Sequence, residues 1–143
     1  GADGDTIYSD GAINASARAK TAASSVNVGI FGATQSSLDT TATASATGVS
    51  GGDGDDVIEI HSMIKAASAS HIVISGNGFT LGGSGNVEAT LSATALATAI
   101  DGGAGKDKIH NEAALTVAAM STLSSSDGST AVFGSSAAGT VSN

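Results

Sequence analysis

A glycine–aspartate motif returns at a fixed interval of 51 residues: GADGDTIY opens the chain, GGDGDDVIE starts at Gly51 and GGAGKDKIH starts at Gly102. The apolar residue closing each copy is Ile7, Ile58 or Ile109, and both 58 − 7 and 109 − 58 give 51. A fixed period of this length marks one structural unit in tandem, each copy burying its apolar face against the next. The rest of the unit repeats as well. Ile13, Ile64 and Leu115 share one position, Ile30, Leu81 and Val132 another, and Gly32, Gly83 and Gly134 a third. Thr40 to Ser50 aligns with Leu91 to Asp101, which sets Thr43 on Thr94 and Val49 on Ile100. The period divides one array into repeat one (1–50), repeat two (51–101) and an incomplete repeat three (102–143). Nothing resembles a cap, so both ends are expected to be cut from a longer array or open to a neighbouring copy.

The side chains available to fill a core are small. The chain of 143 residues has no Cys, Pro or Trp, only 3% aromatics, and is rich in Ala, Ser, Thr and Gly. A single globular core of such residues would be thinly packed, whereas stacked units bury a continuous interior with small side chains. Without cysteine there is no disulfide framework. No stretch is apolar enough to span a membrane, and none reads as a signal peptide. A net charge of −8 disfavours nucleic acid and anionic membrane surfaces as partners.

Local patterning is that of strands. Ile13 to Lys20 alternates small apolar residues with Asn14, Ser16, Arg18 and Lys20, a period of two that fits a half-buried strand. Ser25 to Ile30, His71 to Ser75 and Thr90 to Ile100 alternate in the same way. Gly76-Asn77-Gly78 and Gly82-Gly83-Ser84-Gly85 read as turns, and the Ala-rich Asn111 to Ser121 admits a helical reading. The fold class expected is all-β: a parallel β-solenoid, β-helix or β-roll-like, built from the tandem repeats. Three coils of about 17 residues per unit, two of about 25, or one wide coil all satisfy the pattern.

The carboxylates are concentrated. Asp3, Asp5, Asp53, Asp55, Asp56, Asp101 and Asp107 are seven of the thirteen acidic residues, and all lie in or beside the glycine motifs. Such clusters repel unless a cation neutralises them. Calcium takes six to eight oxygens, and glycine lets a loop turn its carbonyls toward an ion without a Cβ clash. The copies GGDGDDVIE and GGAGKDKIH resemble the G-G-x-G-x-D-x-U-x nonapeptide of RTX (hemolysin-type) calcium-binding proteins, matching at Gly51, Gly52, Gly54, Asp56 and Ile58 and at Gly102, Gly103, Gly105, Asp107 and Ile109. The first copy departs from it, with Asp3 at the third glycine position and Gly4 after it. The resemblance implies a secreted bacterial protein with Ca2+ bound between loops of successive coils. It implies metal ligands among Asp3, Asp5, Gly52, Asp53, Gly54, Asp55, Asp56, Gly103, Gly105 and Asp107. RTX arrays set their motifs in immediate tandem, so loops 51 residues apart share an ion only where one unit makes one coil or a degenerate loop such as Gly82 to Asn86 fills the gap.

No catalytic constellation stands out. His61, His71 and His110 do not recur at one repeat position, since His110 aligns with Glu59 and Tyr8 while His61 aligns with Glu112. There is no nucleophile elbow or phosphate-binding loop. The function expected is structural rather than enzymatic: a segment of an extracellular cell-surface filament, S-layer or adhesin stalk, rigidified by calcium and assembling head to tail with itself. Two alternatives stand beside it. One is a calcium-dependent binding module for carbohydrate, ice or another cell, with threonine rows such as Thr43 and Thr94 as its flat face. The other is the non-catalytic repeat domain of a secreted enzyme or toxin.

Overall fold

A computed structural model describes residues 2–137, apart from the side chains of residues 34, 36, 85, 87, 127 and 129–137. Gly1 of the first motif and the side chain of Val132 therefore lie outside the described residues. The described chain is all-β. Seven strands follow one another: β1 (Thr6–Ser9), β2 (Ile13–Gly29), β3 (Gly32–Ser50), β4 (Val57–Ile60), β5 (Ile64–Asp101), β6 (Lys108–Asn111) and β7 (Leu115–Ala137).

The repeat period fixes the pairing. β1, β4 and β6 form a parallel three-stranded sheet in which Thr6 faces Val57 and Val57 faces Lys108, while Ile7, Ile58 and Ile109 form one row. In the second sheet β5 lies between β2 and β3 and also pairs with β7. Hydrogen bonds at the strand ends keep the same step, from the Ile13 amide to the Met63 carbonyl at 3.0 Å and from the Ile64 amide to the Ala114 carbonyl at 3.2 Å. β5 occupies the positions 51 residues beyond β2 and β3 together. One repeat thus contributes one tier of parallel pairing, and the tiers stack in register.

Two compact units emerge, each drawing on all three repeats: one comprises the described residues up to Arg18 with Ala44–Ala69 and Ala95–Met120, the other Ala19–Thr43, Ser70–Thr94 and the residues described from Ser121 onward. The first holds the motif loops, and its core is Val49, Ile58, Ile60, Ile64 and Ala99, with Ile7, Ile13 and Ile100 packed against them. The second is built on Ala42, Ile72, Ile74, Ala89 and Leu91. There the Ser70 hydroxyl, buried, donates to the Ala42 carbonyl at 2.7 Å, which satisfies a polar group in an otherwise apolar interior.

Burial follows the tiers. Ile58 and Ile64 of the middle tier are 0% exposed, whereas Ile109 and Leu115, at the same positions one tier on, are 49% and 45% exposed. Alternation explains the rest: Ala42, Ala44 and Ala46 are buried while Thr41, Thr43, Ser45 and Thr47 face solvent. β-branched Ile and small Ala on one side of a pleat suit close stacking between parallel strands.

The turn expectation is corrected, and the helical alternative falls away. Gly76-Asn77-Gly78 is not a turn but extended strand inside β5, and Gly76 is buried by the pairing on either side. The chain bends instead at Ile30–Phe31, followed by Gly32 at φ 106, and the matching Gly83 has φ 121. The Ala-rich segment from Asn111 onward is β6 and β7 rather than helix, because the parallel ladder to the preceding tier takes its backbone groups. No helix long and apolar enough to cross a membrane occurs among the described residues.

Candidate metal centre

The motif loops lie one above another. Between β3 and β4, and again between β5 and β6, the chain turns through glycines with positive φ: Gly52 (102) and Gly54 (125), then Gly103 (91) and Gly105 (141). Only glycine adopts this region without strain. Space makes the same demand. A Cβ on Gly103 would collide with the Gly52 carbonyl, and one on Gly105 with the Gly54 carbonyl. In the first copy the third glycine position is Asp3, and no non-glycine residue there takes a positive φ. That copy's loop follows a different path.

Backbone bonds knit the loops together. The Gly51 amide donates to the Asp101 carbonyl at 2.9 Å, the Ala104 amide to the Gly52 carbonyl at 2.9 Å and the Gly54 amide to the Ala104 carbonyl at 2.8 Å. Asp53 and Ala104 consequently form an isolated parallel bridge.

The aspartates of the motif divide into two kinds. Asp56 is 0% exposed, and its Oδ1 accepts from the Asp5 amide at 2.7 Å; one tier on, Asp107 Oδ1 accepts from the Asp56 amide at 3.0 Å. The motif's acidic position thus carries a charge-assisted bond between tiers. Asp3, Asp5, Asp53 and Asp55 are exposed. Asp55 Oδ1 accepts from the Lys106 amide at 2.8 Å, and Asp101 Oδ1, outside the predicted ligand set, accepts from the Gly103 amide at 3.1 Å.

One oxygen is left over. Asp56 Oδ2 is buried and has no hydrogen-bond partner. It lies against the backbone of Gly51, whose place could hold no side chain: a Cβ there would sit 3.0 Å from the Asp56 Cγ. Asp107 lies against Gly102 in the same way, with Oδ2 at 2.6 Å from a Cβ built on that glycine. An orphaned buried carboxylate oxygen beside a glycine cradle fits a hard cation, which would draw most of its remaining oxygens from backbone carbonyls. Among the described residues, no group of three or more His, Cys, Asp or Glu side chains is gathered closely enough to hold a metal by side chains alone. Asp56 Oδ2 is thus the buried carboxylate oxygen without a partner among the described residues, whereas Asp3, Asp5, Asp53 and Asp55 are exposed.

A second polar cluster flanks the loops. Glu112 Oε1 accepts from His110 Nε2 at 3.0 Å and Glu112 Oε2 accepts from His61 Nδ1 at 3.1 Å, so one carboxylate joins imidazoles of two tiers. Tyr8 stacks obliquely on His61, with ring centroids 5.1 Å apart. The hydrogen bond from His110, then the charge of His61 and its hydrogen bond, hold the Glu112 carboxyl below the usual carboxylate range. A hydrogen bond with Asp10, with neighbouring negative charge, raises the Tyr8 hydroxyl. The alignment of His61 with Glu112 was the sequence signal for this contact. The cluster is exposed and resembles a cross-strand ladder rather than a catalytic site. Comparison with family models, with curated proteins and with solved structures gives no match.

Proposed function

We propose that the chain is a structural segment of an extracellular surface assembly: a parallel β-solenoid in which each repeat makes one coil, stiffened by Ca2+ at its glycine–aspartate loops and extended by stacking on a further tier from another copy. The observation that carries this reading is the contrast between tiers. Ile58 and Ile64 are fully buried between neighbours, whereas Ile109 and Leu115 stay about half exposed at 49% and 45%. Covering half of an Ile or Leu side chain is worth roughly 1 kcal/mol, and β6, which among the described residues pairs with no strand beyond β4, offers backbone groups besides. A further tier with the same motif satisfies both.

Calcium supports the same end. When bound, it supplies positive charge where acidic positions of successive tiers adjoin. Asp56 Oδ2 and the carbonyls of the motif glycines would hold it, while Asp56 Oδ1 keeps its bond to the Asp5 amide. The secreted, cell-surface setting rests on the RTX resemblance of the two glycine motifs.

Sedimentation velocity and electron microscopy over a range of concentrations, in excess calcium and in EGTA, test the proposal. Growth with concentration into linear assemblies that EGTA shortens or destabilises is the expected result. A monodisperse monomer at every concentration, with an unchanged thermal melt in EGTA, would overturn it.

A further inference from the structure

The chain's few cations are not all placed with its carboxylates. Of the five Lys and Arg residues, Lys106 and Lys108 lie within the third motif on either side of Asp107, while Arg18 and Lys65 lie on the solvent face of β2 and β5. Neither Arg18 nor Lys65 pairs with a carboxylate among the described residues. Both line a single depression of about 250 Å³, together with Asn14 and Ser16. A second depression of about 460 Å³ continues it, sharing Ser16, Arg18 and Ala67 and running on over Ala69, Ala118 and Met120. All of these residues belong to the first compact unit.

The tier register explains this trough. Ser16, Ala67 and Ala118 occupy one repeat position, and Arg18, Ala69 and Met120 the next outward one. Alanine in the middle tier keeps the floor low, while Arg18 and the 66%-exposed Met120 rise at either side. No acidic side chain lines either depression. The result is an elongated channel with a cationic, hydrogen-bonding end and an apolar end.

We propose that this trough binds a carboxylated polysaccharide, with Arg18 and Lys65 receiving a uronate carboxylate, the Ala67 and Ala69 floor seating the adjoining sugar ring and Met120 bordering it. The arginine fork matches a carboxylate in a bidentate fashion, and Lys65 adds a second charge. Asn14 and Ser16 supply donors and acceptors for hydroxyls. The apolar floor suits the C–H face of a pyranose. A peptide strand is disfavoured because the trough crosses the solvent face of three tiers rather than following a sheet edge, so a strand laid in it would find no ladder bonds to make. Densely charged nucleic acid is opposed by the net charge of −8, whereas two local cations act on widely spaced carboxylates within a Debye length of about 10 Å.

The test is affinity electrophoresis and calorimetry with oligogalacturonate, run in EGTA so that the outcome is independent of calcium binding and of calcium-driven assembly. Neutral dextran and poly-L-glutamate serve as comparison ligands. Retention by oligogalacturonate is expected, with affinity falling about tenfold or more in Arg18→Ala/Lys65→Ala. Lys106→Ala/Lys108→Ala should stay within about twofold of the parent protein, since those cations lie outside the trough. All four side chains are on the surface, and circular dichroism checks that each variant folds. Absence of oligogalacturonate binding would overturn the proposal. So would equal losses in the two double variants, or equal retention of dextran or poly-L-glutamate.

Discussion

The backbone amide of Asp5 donates to Oδ1 of Asp56 at 2.7 Å across a separation of 51 residues. The acidic position of the motif therefore ties one tier to the next before any ion is considered. Asp107 repeats the contact to the Asp56 amide. A carboxylate that bonds a backbone amide through one oxygen and leaves the other buried and unpartnered offers two oxygens whose roles can be tested separately.

Substitution at Asp56 separates them. Asp56→Ala should cost about 1.5–3 kcal/mol in urea unfolding even in EGTA, since the Asp5 amide loses a charged acceptor. Asp56→Asn keeps an acceptor oxygen and should retain more of that stability, yet lose the increment calcium gives the parent protein. Equal calcium increments in Asp56→Asn and the parent would show that Oδ2 holds no ion.

Glycines that combine a positive φ with a collision should divide sharply from Gly11, which has neither. Gly103→Ala combines a φ of 91 with a collision against the Gly52 carbonyl, and Gly83→Ala a φ of 121 with one against the Gly32 carbonyl. Each should lower stability by about 2 kcal/mol or more. A Cβ on Gly11 meets nothing within 4 Å, and Gly11 has no positive φ, so Gly11→Ala should be neutral or slightly stabilising. Chemical denaturation of the three variants is the check.

Equivalent isoleucines should have unequal worth. Ile58→Ala, at 0% exposure, should cost roughly 2–5 kcal/mol. Ile109→Ala, at 49% exposure, should cost less than half as much in dilute protein. Under conditions where the protein assembles, the two penalties should approach each other, because a further tier would bury Ile109. Melts at low and high concentration compare them.

Glu112 gives a small, signed dependence on pH. Its folded-state pKa is depressed by the His110 hydrogen bond first and then by the His61 charge and hydrogen bond. A depressed carboxylate contributes stability above its unfolded pKa and loses it as pH falls through the lower folded value. Exposure keeps the contribution small. Carboxyl NMR titration should find Glu112 below the usual carboxylate range, and His110→Gln should move it back up.

What the sequence disclosed was mostly register. An invariant step between Ile7, Ile58 and Ile109 pairs β1, β4 and β6 residue for residue, and two-residue alternation marks Ala42, Ala44 and Ala46 as inward. The number of strands per unit was hidden, because Gly76 and Gly78 look like turn residues until neighbouring tiers hold them extended. The division among the aspartates was legible only through the motif, whose acidic position singles out Asp56 and Asp107. Spacing sets Asp53, Asp55 and Asp56 side by side, but only the direction of each side chain buries Asp56 and leaves the other two in solvent. The Arg18 and Lys65 trough escaped notice for a related reason. The two cations are 47 positions apart in sequence, by the difference of their residue numbers, and border one depression only because adjacent tiers lie side by side.

The constant offset between paired residues also governs how such a chain can vary in length. Adding or deleting one residue between motif copies would break the match between a loop and the loop beneath it, and would turn every later side chain to the opposite face. Gain or loss of a whole unit does neither, since the new junction repeats one already present. Stability should then rise with copy number in nearly equal steps, and the reach of the protein becomes a quantity that gene duplication can set without redesigning any contact.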